Sequence, residues 1–131
     1  NIMIWNTETG QCDLTLTGHN EGVIALCYLA DGRVASGSRD ETIKIWNTET
    51  GQCDLTLTGH SLGVTGLCVL GDGRVASGSF DQTIKIWNTE TGECDLTLTG
   101  HSDMVISLCV LGDGRVASGS VDQTIKKWNR L

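Results

Sequence analysis

The amino-acid sequence predicts an all-β repeat fold built from units of four short antiparallel strands. Tryptophan recurs every 41 residues, at Trp5, Trp46, Trp87 and Trp128. Each repeat contains four runs of strand length separated by turn residues, and the 131-residue chain contains no proline. No segment shows the 3.6-residue period of a long amphipathic helix. Because a period of this size marks one supersecondary unit per repeat, every copy should adopt the same four-stranded sheet.

The chain consists of three near-identical copies, residues 1–41, 42–82 and 83–123, and residues 124–131 begin a fourth copy. The second and third copies differ at 6 of 41 positions, and the first and second differ at 10. Such similarity indicates recent amplification or deliberate copying.

Four segments of the first complete unit are expected to be strands. Val23–Leu29 is a continuous apolar run, and Asp31–Gly32 after it signals a hairpin because both residues can adopt positive φ. Arg33–Ser38 is rich in small residues, which allow another sheet to approach closely. Thr42–Trp46 has β-branched and aromatic residues, and Cys53–Thr58 alternates Leu and Thr, as in an outer strand with one solvated face.

The spaced motifs of each repeat resemble those of WD-repeat β-propellers. A Trp-Asn pair, such as Trp46 with Asn47, stands where the family has its namesake Trp-Asp, and this departure leaves the fold prediction unchanged. The resemblance covers essentially the whole chain and implies four-stranded blades arranged around a channel. Each unit also has a Gly-His pair: Gly18–His19, Gly59–His60 and Gly100–His101.

The resemblance further implies one internal hydrogen-bond network per blade, joining a His, a Ser, an Asp and a Trp. A Ser-His-Asp catalytic triad is the alternative interpretation. A triad has no reason to recur three times with a tryptophan attached, whereas a network that locks a blade must recur in each. Trp5 has no such partners within its own copy. The predicted network residues are His19, Ser36, Asp40, Trp46, His60, Ser77, Asp81, Trp87, His101, Ser118, Asp122 and Trp128.

Differences between the copies concentrate in the segment after each His and at the single residue before each network Asp. In a propeller these two places open on the same end of the ring, where the family contacts its partners. Packing keeps the scaffold residues unchanged, whereas contact with a ligand would determine which residues stand on this face. The alternative is that surface loops change in sequence without any ligand. The candidate partner-binding residues are Gly22, Ile24, Arg39, Gly63, Thr65, Phe80, Met104, Ile106 and Val121.

Ring closure requires more than one chain. Residues 1–17 supply a third and an outer strand, 18–58 and 59–99 are complete blades, and 100–131 form a blade that lacks its outer strand. Three blades cannot close a ring, and the ends would expose apolar faces and unpaired strand edges. We therefore expect copies of the chain to associate by strand addition from the N-terminal outer strand. A homodimer would have six blades and a homotrimer nine.

The chain has an N-terminal and a C-terminal copy of the third strand, and the blade at the junction between two chains has room for only one of them. The N-terminal copy "NIMIWN" has Ile4 where the C-terminal copy "TIKKWN" has Lys127. Burial of an unpaired lysine costs several kcal/mol. The expectation is that residues 1–5 occupy the junction blade and that residues 125–131 fray.

Composition excludes several functions. A net charge of −7 with a pI near 4.7 argues against nucleic acid as a partner, and no stretch approaches the roughly 20 apolar residues of a membrane span. The six cysteines form no Cys-x-x-Cys pair, so neither a zinc site nor a redox motif is predicted. They are expected to be buried free thiols, which favours a cytoplasmic location. Asn1 is interpreted as a cut end.

These observations predict a non-catalytic protein-interaction scaffold without metal or cofactor, which binds a protein or peptide on its variable end. An enzyme is disfavoured because an active site in a repeat protein normally occurs once, whereas every pair of titratable residues here is repeated. The channel of an assembled ring could still bring acidic residues together. A purely structural or designed fragment without a ligand is the other alternative. Prokaryotic members of the family often follow signalling NTPase or kinase domains, so a sensor tail is a further possible context.

Overall fold

The structure, a computed structural model, describes residues 1–129 and contains over this range thirteen strands in four antiparallel sheets. The predicted all-β class is confirmed. Within the described range there is no helix of the length and apolarity needed to cross a membrane. The strands are β1 (Ile2–Trp5), β2 (Cys12–Leu16), β3 (Val23–Leu29), β4 (Arg33–Ser38), β5 (Ile43–Asn47), β6 (Cys53–Leu57), β7 (Val64–Val69), β8 (Val75–Ser79), β9 (Ile84–Trp87), β10 (Cys94–Leu98), β11 (Val105–Val110), β12 (Val116–Ser120) and β13 (Ile125–Trp128).

Each sheet follows chain order, as expected for strands joined by short turns. Strands β1 and β2 form an N-terminal hairpin, and blade 1 is β3-β4-β5-β6. Blade 2 is β7-β8-β9-β10, and blade 3 is β11-β12-β13. The first strands β3, β7 and β11 lie side by side, so the blades share one inner edge. This arrangement is an open propeller fragment.

The hydrophobic core lies between consecutive sheets. Ile43 and Leu57 of blade 1 pack against Val64 of blade 2, and all three side chains are at most 1% exposed. Gly37 in β4 permits this contact, because a Cβ at this position would lie 2.6 Å from Val64 Cγ1. The same packing recurs between blades 2 and 3, where Ile84, Val105 and Val116 are buried together. The expectation that small residues in the second strand allow close approach of the next sheet is confirmed.

The turn between β3 and β4 differs from the expected two-residue type. Of Asp31 and Gly32, only Gly32 has positive φ, at 84°. The loop covers residues 30–32, one residue more than the hairpin signal implied. A three-residue loop requires one left-handed residue, which the glycine supplies without a steric cost.

The two ends of the stack are uncovered. Ile125 in β13 is 82% exposed, although Ile43 and Ile84 at the same register are 0% exposed. At the other end Leu26 and Tyr28 of β3 are 54% and 63% exposed, because the N-terminal hairpin lacks the inner strands of a blade. Both ends therefore present apolar surface that the interior blades bury.

The expected fraying of residues 125–131 does not occur in residues 125–128 of the single chain. These residues form β13, which pairs with β12 in the same register as β5 with β4. Residues 130 and 131 lie outside the described residues. Backbone pairing to β12 holds these residues in the single chain, and the fraying expected at a junction between two chains stays a prediction. The N-terminal copy is ordered as well, because β1 pairs with β2.

Candidate binding face and its supporting networks

Each blade contains the four side chains of the expected network in hydrogen-bonding contact. In blade 1 the Ser36 hydroxyl lies 2.6 Å from His19 Nε2, and Trp46 Nε1 donates to it at 2.8 Å. His19 Nδ1 lies 2.9 Å from Asp40 Oδ2. Blades 2 and 3 repeat these distances to within 0.1 Å. The members there are His60, Ser77, Asp81 and Trp87, and His101, Ser118, Asp122 and Trp128.

The network aspartate connects two loops. Asp81 accepts from the backbone N–H of Ser61, in the loop after the His, at 3.1 Å. It also accepts from the backbone N–H of Thr83 at 2.9 Å and from its hydroxyl at 2.6 Å. Burial raises the pKa of this carboxyl, but hydrogen bonds from Thr83 and His60 outweigh burial and lower it below 3.8. The charged aspartate therefore holds the two loops together at neutral pH.

The protonation of His60 completes the pattern of donors and acceptors. Burial lowers its pKa below 6.5, against the opposing influence of Asp81, so the imidazole is neutral at pH 7. A neutral ring that donates from Nδ1 to Asp81 leaves Nε2 to accept from the Ser77 hydroxyl. The Ser77 oxygen in turn accepts from Trp87. Every buried side-chain nitrogen and oxygen in residues 1–129 has a hydrogen-bond partner.

The contacts of these residues resemble a Ser-His-Asp triad, but the surroundings do not suit catalysis. Ser36 and Ser77 are 0% exposed and Ser118 is 1% exposed, so no substrate carbonyl can reach the hydroxyl oxygen. That oxygen is also occupied by the indole N–H of the same blade. A nucleophile needs an open path to the reacting carbon. The geometry is that of a buried support beneath the loops.

The two variable positions of each blade lie side by side. In every blade the backbone N–H of the residue before the network Asp donates to the carbonyl of the third residue after the His, at 3.0–3.1 Å. We call this end of the molecule the variable face. The pairs are Arg39 with Gly22, Phe80 with Gly63, and Val121 with Met104.

Two of the predicted binding residues take part in packing between blades. Gly63 is buried, and a Cβ there would lie 3.1 Å from both Arg39 Cα and Phe80 Cδ2. The hydroxyl of Thr65 donates to the backbone oxygen of Val105 in blade 3. Gly63 is buried and Thr65 is half-buried between neighbouring blades, so a role of these two residues in contacting a partner stays a prediction.

The remaining variable positions are accessible. Ile24 and Ile106 each lie at a register shift in the first strand and are 40% and 50% exposed. A β-bulge leaves its extra residue unpaired and redirects the side chain, which explains why these apolar groups face outward. Gly22, Arg39 and Val121 are exposed as well, whereas Phe80 and Met104 are half-buried.

Leu62 belongs to the variable face, although it was absent from the predicted set. This side chain is 48% exposed in the loop after His60. The same position holds Glu21 in blade 1 and Asp103 in blade 3, so it changes in every copy. That change was the signal that identified the other variable positions.

The cysteines are less buried than expected. Burial raises the pKa of Cys27 to about 11 and that of Cys68 to about 12, and these thiols lie half-buried in the first strands. The prediction of buried thiols is wrong because Cys53 and Cys94 begin outer strands that no sheet covers, and Cys109 lies in blade 3 at the open end. The six cysteines are free: Cys12, Cys27, Cys53, Cys68, Cys94 and Cys109. Over residues 1–129 no three His, Cys, Asp or Glu side chains are grouped to hold a metal ion.

Comparison with known proteins identifies a matching family and similar solved structures. The family described as "WD domain, G-beta repeat" matches residues 10–47, 51–88 and 92–129. The chain is similar to a structure described as "Crystal structure of WD40 beta propeller domain of Doa1", with a TM-score of 0.88 and 28% sequence identity. The match covers 93% of this chain and 42% of the other, so the chain spans less than half the length of that structure.

Proposed function

The chain belongs to the WD40 repeat family, and from this membership we propose that it is a non-catalytic interaction scaffold whose copies assemble into a closed propeller ring. The ring presents the variable face to a protein or peptide. Two copies would provide six blades and three copies nine. The free thiols support a location in the reducing cytoplasm.

The exposure of Ile125 carries the assembly proposal. The same residue type at the same register is 0% exposed at Ile43 and Ile84, where another blade follows, and 82% exposed where the chain ends. A second copy that places its own blade 1 against the open face of the third blade would cover this end, whichever third strand, β13 or β1 of that copy, fills the blade. The same contact would cover Leu26 and Tyr28 on the incoming copy, so each chain has both complementary ends. Head-to-tail contacts of this kind close into a cyclic ring when the rotation between copies adds up to a full turn, and otherwise continue as a fibre.

A glycine contact between blades supports the same arrangement. A Cβ at Gly78 would lie 2.7 Å from Val105 Cγ1 of the following blade. At Gly119, the counterpart in blade 3, the nearest atom is Ser107 Oγ at 3.1 Å within the same blade. By the repeat, Val23 of another copy would lie beside Gly119 as Val105 lies beside Gly78. Position 119 thus keeps the glycine that close contact with the valine of a following blade requires, although no blade of the same chain makes that contact.

The composition of the variable face supports a protein or peptide ligand. Leu62 and Val121 are 48% and 44% exposed, and Arg39 lies beside half-buried Phe80. Aromatic residues and arginine are enriched where proteins contact one another, and aliphatic side chains gain by being covered. On a chain of net charge −7, an exposed arginine among apolar groups provides a specific anchor for a carboxylate of the ligand.

Assembly is tested by light scattering with two matched glycine variants. The wild-type ring should have two or three times the 14.0 kDa mass of one chain. Gly119→Ala should keep the secondary structure of the chain but reduce its mass to that of the monomer. Gly78→Ala should instead destabilise the chain itself, by about 1–3 kcal/mol, because it overpacks an internal contact. A wild-type chain that stays monomeric at micromolar concentration would contradict the assembly.

Binding is tested by selecting peptides from a displayed library against the wild-type protein. Selected peptides should lose about tenfold or more in affinity for the triple variant with Arg39, Phe80 and Met104 changed to Ala. A control with Asp13→Ala and Asp54→Ala, on exposed outer strands, should bind them unchanged. Equal affinity for the triple variant, or no selected peptide, would favour a structural propeller without a ligand at this face.

A further inference from the structure

We propose that, in the ring proposed above, strand β1 of each copy displaces β13 of its neighbour, so that Trp5 completes the neighbour's network of His101, Ser118 and Asp122. This inference rests on the proposed assembly and identifies which of the two third strands fills the blade shared by two chains. The displaced strand β13 then lies outside the blade.

Strand β1 already occupies the place of a third strand against its own blade 1. Ile2 and Leu16 of the hairpin pack on Trp46 and are 5% and 1% exposed. Ile43 and Leu57 occupy the same positions in the cluster that contains Trp87. A neighbour that adds β11 and β12 to this hairpin would complete a four-stranded blade. Its β13 would meet β1 at the position between β12 and β2.

The sequence of β13 is unsuited to a covered position. Lys127 pairs with Ala117 in the register in which Ile45 pairs with Ala35, and Ile45 is 0% exposed. Lys127 is exposed in the single chain because no blade follows. A ring that retained β13 would cover this ammonium group, and a buried charge without a partner is costly. Strand β1 supplies Ile4 at that position instead.

A contact at the turn end of the blades selects the same strand. Arg33 of blade 1 donates to the backbone oxygen of Thr89 in blade 2 at 3.1 Å and lies 3.7 Å from the Glu90 carboxylate. Arg74 is the counterpart of Arg33 one repeat later, and the turn that it would contact follows the third strand of the junction blade. After β1 this turn reads Thr7-Glu8, which matches the Thr-Glu pair of blade 2.

The sequence after β13 lacks this pair, because residues 130 and 131 are Arg and Leu. Among residues 1–129 the Arg74 guanidinium forms ion pairs with nearby carboxylates, Asp72 at 2.9 Å and Asp95 at 4.0 Å. With β1 in the junction blade, Arg74 gains a glutamate and a carbonyl. With β13 in place, no glutamate follows in the sequence at the corresponding position. Charge complementarity therefore favours β1.

Trp5 is available for the exchange. Its side chain is 56% exposed, and its indole N–H has no hydrogen-bond partner among residues 1–129. Trp128 Nε1 donates to Ser118 Oγ at 2.8 Å within one chain. By the repeat, β1 paired to β12 of a neighbour would place Trp5 opposite Val116, where Trp128 now lies. The Ser118 hydroxyl then keeps its donor, so β13 is released without leaving a buried polar group unpaired.

Limited trypsin digestion of the isolated ring tests the exchange. Cleavage after Lys126 and Lys127 should be about tenfold or more faster than after Lys44 and Lys85, which occupy the same strand position in blades 1 and 2. The digested ring should keep its size by light scattering, since the removed residues lie outside the blades. The exchange would be overturned if Lys126 were protected as well as Lys85, or if the ring dissociated on cleavage after Lys126. Neither result would contradict the proposal that the chains assemble.

Substitutions in the full-length chain provide a second measurement. Trp5→Phe should weaken the ring about tenfold or more in its dissociation constant, because Ser118 loses its donor, and Trp128→Phe should have no effect on the ring. Lys127→Ile should slow the cleavage after Lys126, since it restores the isoleucine of the repeat. A ring weakened by Trp128→Phe but not by Trp5→Phe would show that β13 fills the blade. A wild-type chain found only as a monomer would instead contradict the assembly on which the exchange rests.

Discussion

Two isoleucines at the same register in different blades offer a direct comparison of burial. Ile84→Ala removes three carbon atoms from a side chain that is 0% exposed between blades 2 and 3. Truncation of a buried isoleucine to alanine costs about 2–5 kcal/mol, from lost transfer free energy and from the cavity left behind. Ile125→Ala makes the same chemical change at a side chain that is 82% exposed, where the cost should be within about 0.5 kcal/mol.

The free energy of unfolding is measured by urea titration followed by tryptophan fluorescence, at one chain concentration at which the wild-type ring forms. With a slope of about 2 kcal/mol per molar urea, Ile84→Ala should lower the midpoint by about 1–2.5 M. Ile43→Ala, also 0% exposed, should match it and serves as the internal control. Equal slopes for all variants establish that the unfolding reaction is the same.

Two results would refute this reasoning. If Ile125→Ala costs as much as Ile84→Ala, then Ile125 is buried in the assembled protein and β13 has not been displaced. If Ile84→Ala costs less than about 1 kcal/mol, then packing between blades contributes little to stability. The latter result would also remove the physical reason for the ring to close.

Two further predictions concern the blade network. Ser77→Ala should lower the free energy of unfolding by about 1–3 kcal/mol, because the indole N–H of buried Trp87 loses its acceptor, whereas Ser61→Ala at an exposed loop position should have little effect in the same titration. Acidification should destabilise the protein in two stages. Because folding lowers the pKa of His60, the unfolded protein binds a proton at this residue more readily than the folded protein, and stability falls as pH drops below 6.5. The lowered pKa of Asp81 has the same effect below pH 3.8. His60→Gln should reduce the loss of stability in the upper range, and a wild-type protein that became more stable between pH 7 and pH 5 would contradict this assignment.

The strand pattern was predictable because it depends on neighbouring residues in the sequence. Val23–Leu29 and Arg33–Ser38 form strands with the expected bounds, β5 is shifted by one residue at both ends, and β6 ends one residue early. The threefold recurrence of His, Ser, Asp and Trp at constant spacing, together with the family resemblance, identified the side chains that meet in each blade. The prediction of the turn at Gly32 was less accurate, because the Asp-Gly dipeptide alone does not determine whether the loop has two or three residues.

Burial was harder to predict, because it depends on the sheet that covers a residue. Cys68 and Cys109 are identical in local sequence, yet the first is half-buried and the second exposed, since a blade follows only the first. Gly63 varies between copies in the same way as Arg39 and Phe80, but the structure places it between them. The sequence pattern could not separate a residue that faces a partner from one that faces the next blade.

The sequence by itself therefore determined the repeat and the strands, which follow from periodicity within each unit, and its family resemblance identified the residues of the internal networks. Only the tertiary structure decided which variable residues are accessible, which cysteines are exposed and how much apolar surface the two ends retain. The physical reason is that sheets pack on residues about 41 positions away in the chain, and Ile43, Ile84 and Ile125 differ only in whether a blade follows them.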